Sequence, residues 1–172
     1  MAGSPASSLS TRPVDVADRP VSVRRANLGD DSDIDRYLYL LDAYARDPMG
    51  AGIPLPADVI GRLRRDMPSH PTAHALLAFA GDEVIGFVTG FLGYSTFRAM
   101  PLLNIHDIAV LPAWRGRGIA RRLLRETEAL GRSLGCCRIT LEVRDDNPRV
   151  RSVYDQAGFV PAACNLFMEK AL

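Results

Sequence analysis

Asn104–Leu124 reads NIHDIAVLPAWRGRGIARRLL. Ile105–Val110 is apolar and rich in β-branched residues, the composition of a strand, and it stops at Leu111-Pro112, where proline has no N–H for a ladder. From Ile119 onward the apolar residues fall at Ile119, Leu123, Leu124, Thr127, Leu130 and Leu134, one face of a 3.6-residue period. Between strand and helix lies Arg115-Gly116-Arg117-Gly118-Ile119-Ala120. A helix start presents unpaired N–H groups and a partial positive charge. Two glycines let an anion approach that backbone closely, and two arginines add charge. The stretch is built like a phosphate site.

Two common phosphate loops do not fit. A nucleotide P-loop needs a Lys-Ser/Thr pair after its last glycine, and Gly118 is followed by Ile119-Ala120. A dinucleotide fingerprint needs a third small residue three places after Gly118, where Arg121 stands.

The rest of the chain sets the frame. Its 172 residues suit one domain with a real core. Hydrophobic and charged fractions of 47% and 24% are ordinary for a soluble globular protein. A net charge of +1 gives no reason to expect nucleic acid or membrane as a partner. No apolar run approaches the ~20 residues of a membrane span. Residues 1–20 are rich in Ser, Ala and Pro and lack a basic region followed by an apolar core, so they read as a flexible lead-in. The expected compartment is the cytoplasm. Cys136, Cys137 and Cys164 have no metal spacing, and reduced thiols are expected.

In order, Val21–Arg25 reads as a strand and Asp30–Arg46 as a helix with Asp caps. Met49–Pro56 is a Gly/Pro-broken loop, and Ala57–Met67 a second helix ended by Pro68. Ala73–Ala80 and Glu83–Tyr94 form a hairpin about Gly81-Asp82, and Ser95–Pro101 leads into the strand that opens near Leu102. After the Ile119 helix, Gly135 suits the position just past its end. Arg138–Val143 is a strand, Arg149–Gln156 a short helix closed by Gly158, and Phe159-Val160 and Leu166–Met168 are two final strands. The fold class is α/β (α+β), a mixed sheet flanked by helices.

Against this background Arg115, Gly118 and Ala120 resemble the acetyl-CoA loop, Arg/Gln-x-x-Gly-x-Gly/Ala, of the GNAT N-acetyltransferase superfamily. Asn147–Phe159, NPRVRSVYDQAGF, resembles that superfamily's block Asn-x-x-Ala-x-x-x-Tyr-x-x-x-Gly-Phe through Asn147, Tyr154, Gly158 and Phe159, with Val150 in the alanine position. The resemblance covers residues 21–172. Tyr94–Phe97 and the strand after it also resemble the diamine acetyltransferases, which carry Glu-Asp where His106-Asp107 stands here. The histidine removes one acidic charge from a site for cationic amines.

The resemblance implies a GNAT fold, with a mostly antiparallel sheet splayed at the cofactor site, and transfer of acetyl from acetyl-CoA to a primary amine of a small molecule or peptide in a ternary complex. It also admits a module that senses acyl-CoA without turnover. It implies that Ile108, Ala109 and Val110 line the pantetheine arm, and that the amides of Gly116, Arg117, Gly118, Ile119, Ala120 and Arg121 hold the pyrophosphate. Arg115 and Arg117 either pair the phosphates or stay solvated. Asn147 binds pantetheine, caps the helix after it, or does both. Tyr154 is the general acid toward the departing thiolate. His106 is the candidate base by residue type, with Asp107 or a water chain as the alternatives. Strict strand alternation places His106 on the side of Ile108 and Val110, and Asp107 opposite, with a backbone or arginine partner. Cys136 and Cys137 have no neighbouring histidine in sequence, which speaks against a thiol nucleophile. No metal is expected. Homodimerisation comes with the resemblance, but no surface can be assigned to it.

Overall fold

A computed structural model describes residues 19–162 with Met168 and Lys170. The elements run β1 (Val21–Arg25), α1 (Asp31–Ala45), α2 (Ala57–Asp66), β2 (Ala73–Ala80), β3 (Glu83–Ser95), β4 (Met100–Val110), α3 (Ile119–Ser133), β5 (Ile139–Leu141) and α4 (Pro148–Gln156). The five strands form one sheet in sequence order. All neighbours are antiparallel except β4 and β5, which are parallel. The expected mixed, mostly antiparallel sheet is therefore present.

Side-chain alternation gives the sheet two apolar faces. One packs Leu76, Ala78, Val88, Ile105 and Val110 against Ile119, Leu123 and Leu124 of α3. The other packs Ala75, Leu77, Phe79 and Phe87 against Ile34, Tyr37 and Leu38 of α1. Asp30 caps α1, its Oδ1 accepting from the amides of Ser32 and Asp33 at 3.1 Å each. α3 ends at Leu134, followed by Gly135 at φ 69°, the left-handed position expected of it.

Two strands depart from strict alternation. Ile85 bulges from β3 between partners of Ala78 and Phe79. In β4, Thr89 faces Asp107 and Gly90 faces Ile105, so His106 is an extra residue with no partner of its own. The bulge overturns the expected facing. Ile105, Ile108 and Val110 all reach the α3 face, although 105 and 108 have opposite parity. Ala109 joins the α1 face. His106 is exposed, its ring edge-to-face on Phe91 at 5.6 Å, and shares no face with Ile108 and Val110.

Other boundaries also differ. β5 is only Ile139–Leu141, shorter than the expected 138–143, because its partner strand leaves it after Ile105. Phe159-Val160 forms no strand. Cys164 and most of the expected Leu166–Met168 strand lie outside the described residues, as does the lead-in before Arg19. Among the described residues, no helix is long and apolar enough to cross a membrane.

Candidate active site

β4 and β5 pair only from Leu103–Ile139 to Ile105–Leu141. Past that point a cleft of about 410 Å³ lies between them. Ile108, Ala109 and Val110 form one wall; Asn147, Val150 and Tyr154 belong to the other. Because β5 has ended, this edge of β4 is unpaired among the described residues. The three apolar residues expected along the pantetheine arm thus line a cleft beside an open strand edge.

The loop from Gly116 into α3 closes one end. Gly116 and Gly118 have φ of 79° and 76°, and Gly118 is the residue before the first turn of α3. A Cβ at Gly118 would meet nothing within 4 Å, and one at Gly116 only Arg149 Nη2 at 3.7 Å. Crowding within the protein does not demand glycine here; the left-handed backbone does. No side chain caps α3. Among the described residues, the amides from Gly116 to Arg121 meet no backbone acceptor, whereas that of Arg122 bonds Gly118 O. Six consecutive N–H groups are available at a helix N-terminus, the arrangement that binds a phosphate.

The two loop arginines, both exposed, also make contacts within the protein. Arg115 Nε donates to Val110 O at 3.0 Å, and its Nη2 to Asp47 Oδ2 at 2.5 Å. Arg115 therefore joins the loop to the end of β4 and to the turn after α1. The guanidinium holds the Asp47 carboxyl below the usual carboxylate range, with help from the Met49 amide. Arg117 stacks over the indole of buried Trp114, 5.0 Å from the ring centroid. Arg121 and Arg149 also line the cleft.

Asn147 does cap α4: its Oδ1 accepts from the Val150 amide at 3.2 Å. Its Nδ2 lies 3.3 Å from the Met49 sulfur, and both residues line the cleft. Tyr154, 7% exposed, also lines it. Burial, and then neighbouring Tyr44, push its hydroxyl up to about 12. It is a protonated donor throughout the neutral range.

Next to the Ile108 wall, but not among the residues that line the cleft, His106, Asp107, Thr89 and Tyr37 gather on the α1 face of the sheet. The Tyr37 hydroxyl and Thr89 Oγ1 are 3.0 Å apart. Thr89 stands opposite Asp107 across β3 and β4, so the polar group set against it is a hydroxyl rather than the backbone group or arginine expected. Burial raises the Asp107 pKa, and nearby His106 and the Thr89 hydroxyl offset part of that rise. Phe91 lies between His106 and His70, with the His70 ring at 5.3 Å. Asn104 Nδ2 donates to Thr140 Oγ1 at 3.1 Å and lies 3.3 and 3.4 Å from the two oxygens of Glu142. Tyr44, Asp47, Met49, Glu142 and Arg149 were not legible as site residues. All but Arg149 come from segments with no motif, and Arg149 sits two residues after Asn147 with nothing to separate it from a surface cation. Cys136 and Cys137 do not line the cleft, and burial raises the Cys136 thiol, which argues against a nucleophilic role.

An α/β sheet that opens between two parallel strands, over a glycine loop at a helix start, is the architecture of an acyltransferase. Residues 38–159 match the model of the acetyltransferase (GNAT) family. The chain belongs to that family. It is 30% identical over 99 residues to a thialysine N-epsilon-acetyltransferase of Caenorhabditis elegans, an alignment covering 58% of this chain and 61% of the relative. Its fold is shared by an aminoglycoside acetyltransferase from an uncultured soil metagenomic sample, solved with trehalose (TM-score 0.76, 15% identity, 90% of this chain and 98% of that one). It is shared too by an aminoglycoside N-acetyltransferase in complex with CoA (TM-score 0.71, 19% identity, 89% and 96%).

Proposed function

We propose that this protein transfers an acetyl group from acetyl-CoA to a primary amine in a ternary complex. The observation that carries the reading is the row of six unengaged amides from Gly116 to Arg121, opening on a cleft whose wall holds the Tyr154 hydroxyl. The cleft suits coenzyme A in chemistry as well as shape. Donors for a diphosphate stand at one end, and the apolar Ile108–Val110 edge, apart from the Val110 carbonyl that Arg115 holds, offers free backbone groups to the pantetheine amides. Arg121 and Arg149 are the arginines placed to add charge, since Arg115 and Arg117 are engaged within the protein.

Acetyl-CoA supplies an activated thioester. The chain supplies orientation and proton transfer, and holding the two reactants together removes much of the entropic barrier. The acceptor amine arrives protonated, because an alkylammonium has a pKa near ~10.4. Asp107, opposite Thr89 in the sheet, attracts that ammonium. His106 at the bulge takes its proton and, being exposed, passes it to water. Tyr154 gives its phenolic proton to the sulfur that leaves.

Calorimetry with coenzyme A and a thiol-release assay across a panel of primary amines test the reading together. Saturable coenzyme A uptake and amine-dependent release are expected. No uptake at millimolar ligand would end it. Uptake without release from any amine would leave an acyl-CoA sensor.

A further inference from the structure

Helix α4 carries Tyr154 but is lightly held. Tyr154 is its one buried residue, and β5, which precedes it, stops pairing with β4 at Leu141. Something besides the sheet must set how far the Tyr154 wall of the cleft stands from the β4 wall. The turn after α1 touches both. The Asp47 side chain in that turn is 10% exposed, and its two carboxylate oxygens have different partners. Oδ2 accepts from Arg115, whose guanidinium also holds Val110 O at the end of β4. Oδ1 accepts from the Met49 amide at 2.8 Å. The Met49 sulfur then meets Asn147 Nδ2 across the cleft, 3.3 Å away. Val150 fixes which way that amide points, because its N–H donates to Asn147 Oδ1.

The turn is stiff. Asp47 O accepts from the amides of Gly50 and Gly52 at 2.8 and 3.2 Å, and the Ala51 amide donates to Ala45 O at 3.1 Å. Gly50 lies so close on α1 that a Cβ there would collide with Tyr44 O. The turn therefore moves only with α1, which Tyr37 and Leu38 fix in the core. A guanidinium can serve a carboxylate and a carbonyl from different nitrogens at once, so Arg115 is a bridge and not only a point charge. Resting on the acetyl-transfer reading, we infer that Asp47 is a positioning residue: with Arg115 at one end and Met49 at the other, it ties β4 to α4 and holds the Tyr154 hydroxyl at its working distance from the thioester sulfur. Asn147 and Tyr154 are about two helical turns apart on one element, so a shift at the first moves the second. The sulfur contact is the weakest link and the ion pair the strongest, so loss of the carboxylate charge is the change that frees the tie.

The test is a double-mutant cycle on thiol release at saturating acetyl-CoA, with the fastest primary amine of the panel. Asp47→Asn keeps an oxygen for the Met49 amide and removes the charge that holds Arg115. It should lower kcat about tenfold and leave coenzyme A affinity by calorimetry within about twofold of wild type. In a Tyr154→Phe background, where no phenolic proton is left to place, the same change should lower kcat by less than about twofold more. Met49→Leu keeps the volume, loses the sulfur acceptor and leaves Arg115 alone; it should repeat the pattern with a drop of about threefold. Should Asp47→Asn fail to fold, Met49→Leu carries the cycle by itself. The inference is overturned if the losses multiply in the double variant, if kcat is unchanged in the single one, or if coenzyme A affinity falls as far as turnover. Wild type that binds coenzyme A yet releases no thiol with any amine fails the transfer reading instead, and the inference falls with it.

Discussion

Two side chains carry opposite lessons about burial. Tyr154 is raised to about 12 by burial and Tyr44, so it holds its proton wherever the enzyme works. Tyr154→Phe keeps the ring against Phe159 and loses only the donor. It should lower kcat about 100-fold while calorimetry finds coenzyme A affinity unchanged; equal turnover would remove the general-acid role. Asp107 is also raised by burial, but for a carboxylate that means its charged form is disfavoured. Between its unfolded and folded pKa the native state binds the extra proton, so stability falls as pH rises through that window. Above it, the ionised carboxylate is a standing cost retained for the acceptor. Asp107→Asn should therefore raise the melting temperature at neutral pH and raise KM for the amine. A lower melting temperature would mean that the bonds around Thr89 outweigh the buried charge.

At the scale of elements, β4 matters most, and its bulge was the feature least legible in the sequence. Helix α3 could be read from period and glycine because both are local. So could β1 and β2, whose ends the structure reproduces. A bulge depends on the partner strand: nothing within NIHDIAV distinguishes an extra residue from a regular one until Thr89 is found opposite Asp107. For the same reason the sequence left Arg115 open between a phosphate and solvent, and its contact with Asp47, sixty-eight residues away, could not be read from it. The bulge allows a separation that point substitution alone does not. Deleting His106 leaves Ile105, Ile108 and Val110 on the α3 face and Asp107 and Ala109 on the other, now in regular alternation. The deletion should fold, with stability within about 1 kcal/mol of wild type by denaturant titration, yet lose turnover as β4 straightens. His106→Ala keeps the bulge, and should retain measurable turnover while its pH–rate profile loses the acidic limb. If both variants behave alike, the bulge has no role apart from the imidazole.

Across the whole molecule, the edge strand β1 is fastened on both faces by successive arginines. Arg24 reaches the α1 side, giving two bonds to buried Asp33 at 2.6 and 2.7 Å and lying 4.8 Å over the Phe79 ring. Arg25 reaches the α3 side, where its Nη2 donates to His74 Nδ1 at 2.8 Å. That bond places the remaining proton on His74 Nε2, which is buried without an acceptor among the described residues. The Arg24 bonds, aided by the Asn27 amide and Arg36, hold the Asp33 carboxyl down at about 2. Burial and then Arg25 lower the His74 imidazole. Both shifts have the same sign for stability. In each case the unfolded chain takes up its proton first as pH falls, so the contribution is complete above the unfolded pKa and is lost down to the folded one. For His74 the loss starts near ~6.5; for Asp33 it runs from near ~3.9 to about 2 and is worth about 2 kcal/mol. Acid should therefore loosen the sheet from its β1 edge, in two steps. Between pH 7 and about pH 2, protection from hydrogen exchange, corrected for the intrinsic rate at each pH, is expected to fall at Val21–Arg25 before it does in α3, whose Leu123 is wholly buried. His74→Gln, which keeps an acceptor for Arg25 and cannot titrate, should abolish the first step and spare the second. Asp33→Asn should weaken the fold at neutral pH and abolish the second. Simultaneous exchange of β1 and α3 at every pH would mean that the sheet opens as one unit and that the arginine fastenings set only its total stability.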